Sequence, residues 1–295
     1  MATNQQRREA AKRKLERQLA RRAERAKRRK IIGVGVTVGA VVVVAGLVVF
    51  FATRNSDDNA NAANPDQASP SSETPPPPPP PAAIPTQRAA EVKRPQPLPN
   101  PSTCDYPASQ GEKSAKTAKA PQAGPAPATG KVNAVMKTTA GDIPVTLDRA
   151  LAPCTVNSFV SLAQQGFYTD TSCHRLGVSE GLQMLQCGDP NGDGSGGPGY
   201  TVKDENFPEL QGKYGRGQLA MAKTSAPNSG GSQFFMVFGA AQLQPDYTVF
   251  GEISDAGLQV LDKVAKDGIA PGGVGQDGST GKPKTEVKFT GITVG

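Results

Sequence analysis

The chain has 295 residues, a single histidine, no tryptophan, and 33 Lys and Arg against 26 Asp and Glu, for a net charge of +7. That charge is local: residues 1–30 hold 13 basic groups against Glu9, Glu16 and Glu24, while everything after them carries 20 basic and 23 acidic groups. The isoelectric point near 9.2 therefore describes a tail, which argues against nucleic-acid binding by the body of the chain; one histidine without Cys-x-x-Cys spacing argues against a metal site.

From Ile31 to Ala52 no residue is charged, and the run is long enough to cross a hydrocarbon core of about 30 Å as a helix. Its β-branched content would weaken a helix in water, but lipid offers the backbone no other partner. With the basic tail before it and only Arg54, Asp57 and Asp58 close behind, the positive-inside rule predicts a single-pass plasma-membrane protein. Residues 1–30 are then a cytoplasmic tail, 31–52 a transmembrane helix, and 53–295 extracytoplasmic. A cleaved signal peptide competes, but its apolar run would exceed the usual ~7–15 residues, so a retained anchor is expected.

Residues 53–130 read as a Pro/Ala-rich linker. Prolines run from Pro75 to Pro81 and recur at 95, 97, 99, 101, 121, 125 and 127, a density that favours extended polyproline II and a spacer role. Cys104-Asp105-Tyr106 interrupts it and is a candidate for docking back onto the folded part.

A domain is expected over 131–295. Lys131 to Lys137 and Gly141 to Leu147 read as strands around a turn. A helix follows Pro153, with Val156, Phe159, Val160 and Ala163 on one face. Further short strands are expected at 172–176, 183–187, 218–222, 233–238, 248–253 and 286–293, and a second helix at 258–265 with Val260, Leu261 and Val264 on one side. This mainly β pattern with glycine-rich connections predicts a closed barrel capped by two α-helices.

Chemistry-bearing residues cluster in two segments. The first runs Cys173-His174-Arg175 to Met184-Leu185-Gln186-Cys187-Gly188-Asp189 and into the glycines at 194, 196, 197 and 199. The second is Gly231-Ser232-Gln233-Phe234-Phe235. An arginine, two glutamines and an apolar seat suit a reaction that needs polarisation and no nucleophile. Together with Asn157 and Phe159, Asp204-Glu205-Asn206-Phe207, Leu219-Ala220-Met221-Ala222 and Val249-Phe250-Gly251, they make 131–295 resemble the cyclophilin-type peptidyl-prolyl isomerases.

That resemblance implies an eight-stranded antiparallel barrel with two capping helices, and catalysis of X-Pro isomerisation without cofactor or metal. It places Arg175, Gln186 and Phe235 in the catalytic role, and His174, Met184, Ala222, Gln233, Leu243 and Tyr247 in substrate binding. Alternation makes Phe234 the core member of its pair and Phe235 the pocket member, while His174 reads best as a strand residue with a hydrogen-bonded ring. Partners are proline-containing polypeptides, met by a monomeric domain. The alternative is a catalytically weak peptide-binding or chaperone module, because Gln183, Gln242, Tyr247 and Lys223 depart from the family pattern. The missing indole at Gln242 predicts weak binding of the family's cyclic peptide inhibitor. Gly194 to Gly199 lacks the Gly-Lys-Ser/Thr ending of a phosphate loop, and Asp189, Asp193, Asp204 and Glu205 do not read as an EF-hand.

All four cysteines lie on the exported side, which permits oxidation, and three complete pairings are open. Cys173 and Cys187 flank a hairpin and favour each other, leaving Cys104 for Cys154; four buried thiols are the other reading.

Overall fold

The computed structural model describes residues 80–110, 114–205, 213–275 and 279–295. The expected cytoplasmic tail, the transmembrane segment 31–52 and the linker up to residue 79 lie outside these residues. Among the described residues no helix is long and apolar enough to cross a membrane.

Among the described residues, thirteen strands and two helices follow in chain order. A short hairpin, β1 (Ser102–Cys104) and β2 (Gly124–Ala126), stands apart. The main sheet begins with β3 (Lys131–Thr138) and β4 (Ile143–Asp148), whose alternation puts Val132, Ala134, Met136, Ile143, Val145 and Leu147 inside. Next come helix α1 (Pro153–Gln164), β5 (Arg175–Ser179), β6 (Leu182–Cys187), β7 (Lys213–Gly215), β8 (Gln218–Met221), β9 (Phe234–Gln242) and β10 (Val249–Ile253). Helix α2 (Asp255–Asp267), β11 (Ile269–Val274), β12 (Thr280–Pro283) and β13 (Phe289–Val294) complete the chain.

Eleven strands form one sheet in the order β11-β12-β5-β6-β9-β8-β10-β4-β3-β13, with β7 also on β9. The stretch β5-β6-β9-β8-β10-β4-β3-β13 has the eight strands expected, and β7, β11 and β12 are additional to it. The segment leading into β5 meets the start of β13 through the bridge Ser172↔Lys288 and three backbone hydrogen bonds of 2.9 Å: Asp170 N–H to Phe289 O, Phe289 N–H to Thr171 O and Cys173 N–H to Val287 O. The hairpin β11-β12, which local sequence pattern does not announce, extends the sheet beyond β5.

Both expected helices form, and each starts differently. In α2, Ser254 accepts the Gly257 N–H at 3.1 Å, Asp255 occupies the first turn, and Gly268 at φ +76° ends it. Helix α1 has Pro153 in its first turn but no cap from its own Ala152. Glu205, far along the chain, accepts the N–H groups of Cys154 and Thr155 at 3.0 and 2.8 Å and the Thr155 hydroxyl at 2.7 Å. The core sits between α1 and the sheet, where Phe159, Tyr168, Phe234 and Phe289 pack edge-on or tilted at 5.2 to 6.3 Å.

Residues 80–110 and 114–130, expected to be the far half of a linker, form no helix, yet they are spent on the domain's surface. Ala82 N–H reaches Val178 O at 2.8 Å, Arg88 pairs with Asp255 at 2.9 Å, and Arg94 Nε donates to Leu151 O at 2.7 Å. Cys104 is bridged to Cys154 and Cys173 to Cys187. This strap and 131–295 belong to one compact unit.

Candidate active site

Arg175 opens β5, Gln186 lies opposite it on β6, and Gln186 in turn faces Phe235 on β9. Cross-strand pairs share a face, so the side chains meet in a relay. Arg175 Nη1 donates to Gln186 Oε1 at 3.4 Å, and Gln186 Nε2 donates to Gln233 Oε1 at 2.9 Å. Gln233 Nε2 then donates to the carbonyls of Gly194 and Gly196 at 2.9 and 2.8 Å. On the other side, Arg175 Nε donates to the Thr280 hydroxyl at 3.0 Å. Thr280 is buried on β12, beside β5. The guanidinium is thereby held from two directions, with its plane set by the protein.

An apolar wall continues from this relay. Met184 lies two residues from Gln186 on the same face of β6, cross-strand from Val237. Phe235 is buried, with the rings of Tyr247 and Tyr214 at 5.4 and 5.9 Å. Phe234 turns inward to Phe159, as alternation requires. Leu243 packs at the edge of the core, and Ala222 donates its N–H to Gln233 O at 2.9 Å.

Tyr214 is absent from the residues expected at the site. Its hydroxyl lies 3.1 and 3.2 Å from the carbonyls of Tyr247 and Gln244 and accepts the Tyr247 N–H at 3.0 Å, so it pins the loop that presents Tyr247. Its only sequence signal is an aromatic beside a glycine turn. Thr280 gives none, because its role depends on a hairpin that periodicity does not reveal.

Gln183, a departure from the family pattern, turns away from Met184 by alternation, and it donates to Ala83 O at 2.9 Å while accepting the Ala240 N–H at 3.2 Å. One expected surrounding needs correcting. His174 precedes β5, and neither ring nitrogen has a hydrogen-bond partner among the described residues, contrary to the satisfied ring expected. The ring lies against the glycine loop, where a side chain on Gly194 would come within 3.6 Å of Nε2. Burial holds its pKa below the usual histidine value, opposed by Asp189 and reinforced by Arg175.

Asp189-x-Asn191-x-Asp193-Gly194 shares the opening spacing of a calcium loop. Its twelfth position is Tyr200, however, and both Asp189 oxygens are taken: Oδ1 accepts the N–H of Asn191 and Gly196, and Oδ2 those of Asp193 and Gly194. Buried Asp189 thus shapes the loop whose carbonyls receive Gln233. Among the described residues no cluster of three metal-ligating side chains occurs.

The family model described as cyclophilin type peptidyl-prolyl cis-trans isomerase/CLD matches residues 134–294. The chain is 52% identical to a probable peptidyl-prolyl cis-trans isomerase B of Mycobacterium leprae, with 99% of each chain covered. It is 41% identical to a peptidyl-prolyl cis-trans isomerase of Helicobacter pylori over 46% of this chain and 82% of that one. Among solved structures, a cyclophilin type isomerase of Cryptosporidium parvum aligns at 29% identity with a TM-score of 0.47, over 56% of this chain and 98% of that chain.

Proposed function

The chain belongs to the cyclophilin-type peptidyl-prolyl cis-trans isomerase family, and from that premise we propose that Arg175 carries its isomerase activity and that its substrates are polypeptides outside the cytoplasm. A peptide C–N bond resists rotation by ~18–20 kcal/mol because the nitrogen lone pair is delocalised. Rotation localises that pair on the prolyl nitrogen, and a donor placed there stabilises the twisted state more than the planar one. A guanidinium is well suited to this role, because it stays protonated and presents donors in a fixed fork. Its contribution depends on being oriented before the substrate arrives.

The observation that carries this reading is the relay Thr280–Arg175–Gln186–Gln233, anchored on Gly194 and Gly196. It constrains the arginine beside the apolar side chains of Met184 and Phe235, which would seat the proline ring, with Leu243 and Tyr247 at its rim and Ala222 on the approach. The two disulfides suit an oxidising compartment and support substrates among exported or envelope proteins.

A protease-free X-Pro isomerisation assay tests the assignment. Arg175→Ala should lower kcat/KM by about 10²-fold or more, with an unchanged circular dichroism spectrum. Thr280→Val, which removes a hydrogen bond to a charged group worth about 1.5–3 kcal/mol, should lower kcat while leaving KM nearly as it was, and Thr280→Ser should restore it. Full activity in Arg175→Ala would overturn the role given to the arginine.

A further inference from the structure

Beside the relay lies a cavity of about 680 Å³ that begins at Gln186, Gln233 and Ala222. The glycine loop 194–197 forms one wall, and residues 107–110 of the strap form another. These strap residues lie outside the span matched to the family, which starts at residue 134. They are firmly held. Thr201 N–H donates to Pro107 O at 2.9 Å, Ser109 N–H donates to Gly199 O at 3.1 Å, and Ala108 bridges Tyr200. Upstream, Cys104 is bonded to Cys154, and the Tyr106 hydroxyl reaches Cys154 O at 3.1 Å. A segment with the composition of a spacer has become a fixed side of a cavity continuous with the catalytic relay.

We propose that residues 107–110 are a specificity-determining wall, and that the cavity they close holds uncharged residues flanking the X-Pro bond of the substrate. This rests on the isomerase reading above. The volume falls within the ~300–1,000 Å³ of pockets that bind small ligands or peptide segments. Its chemistry selects against charge. Among the described residues no carboxylate lines it, so a lysine or arginine in the flank would be desolvated without a partner. The one charged lining residue among them, Lys223, has its ammonium 3.7 Å from Asp204, so an acidic flank would compete with an existing pair. The hydroxyls and amides of Ser109, Gln110, Thr201 and Gln233 suit a neutral peptide.

The test compares an N- and C-blocked Ala-Pro dipeptide with the same unit extended by several neutral residues at one end or the other, and with extensions carrying Lys or Glu. Binding by titration calorimetry and turnover are both measured on the intact protein. A neutral extension on at least one end should tighten Kd about tenfold, equivalent to about 1.4 kcal/mol, and charged extensions should lose that gain. In Ala108→Trp, which narrows the cavity, the ratio of extended to minimal Kd should collapse towards unity. The double variant Cys104→Ser, Cys154→Ser should diminish the same Kd ratio by releasing the wall, and circular dichroism identifies whichever variant is folded. The ratio cancels any change common to both peptides, and it is read from binding, so a failure of Arg175 as the catalytic group would leave it intact. The proposal is overturned if no extension tightens binding, if charged extensions bind as well as neutral ones, or if the gain persists in a folded variant of either kind.

Discussion

His174 shows how far a single side chain departs from its expected surroundings. It stands beside Arg175 in sequence, yet its two ring nitrogens are buried without partners among the described residues, and burial is the largest cause of its lowered pKa. The groups that oppose one another around it are Asp189 and Asp193, which favour the charged ring, and Arg175, which disfavours it. With the folded value depressed, the unfolded chain binds more protons below about pH 6.5. The stability that goes with a neutral His174 is therefore present above that pH and is lost as pH falls towards the folded value. Urea midpoints measured near pH 7.5 and near pH 5.5 should differ by more in the parent than in His174→Gln. Glu205, whose carboxyl is pushed up by burial against three donors, acts in the opposite sense but is common to both proteins. An equal pH response in the two would rule this origin out.

At the scale of elements, α1 illustrates a helix whose start is supplied from elsewhere. Pro153 sets the first turn, but Ala152 offers no side-chain acceptor, so the first-turn N–H groups of Cys154 and Thr155, which have no partner within the helix, depend on Glu205. Its carboxylate also suits the positive end of the helix, and Arg94 on the strap reaches the Glu205 carbonyl, tying the cap to the wrapped segment. Glu205→Ala should lower unfolding free energy by about 1–3 kcal/mol, read from urea denaturation. Glu205→Gln, which keeps one acceptor oxygen, should fall between it and the parent. No change in Glu205→Ala would mean that α1 needs no such cap. The elements themselves are largely legible in the sequence: β3, β4, β6, β8, β10 and both helices lie within a few residues of the expected ranges, because alternation and 3.6-residue periodicity mark a buried face. The strands β1, β2, β7, β11 and β12 are not, since Gly-Pro-Ala, Lys-Tyr-Gly and Ile-Ala-Pro-Gly-Gly-Val carry no alternating pattern. Their pairing comes from neighbours that hold them in place.

For the whole molecule, the uncharged run 31–52 and the basic tail before it predict a membrane-anchored isomerase with its domain outside the cytoplasm. The full chain should stay in the membrane fraction at high salt, and a reporter fused after Gly295 should be active only as an extracytoplasmic enzyme. A soluble product beginning near residue 53 would show cleavage instead. Sequence by itself determined the family, the mainly β class with two helices and the pairing preferred for the four cysteines, and it singled out Arg175, Gln186, Gln233 and Phe235 as candidates. Those features rest on residue type and short-range period, which a linear reading can detect. Tertiary structure alone decided that Thr280 and Tyr214 hold the site, that Gln183 faces away from it, that the sheet carries eleven strands, and that the proline-rich strap closes a cavity. Prolines remove ladder donors and leave an extended segment that reads as a free spacer. Whether such a segment reaches into solvent or lies along a surface depends on carbonyls, a disulfide and a few side chains finding partners distant in sequence, which no local pattern records.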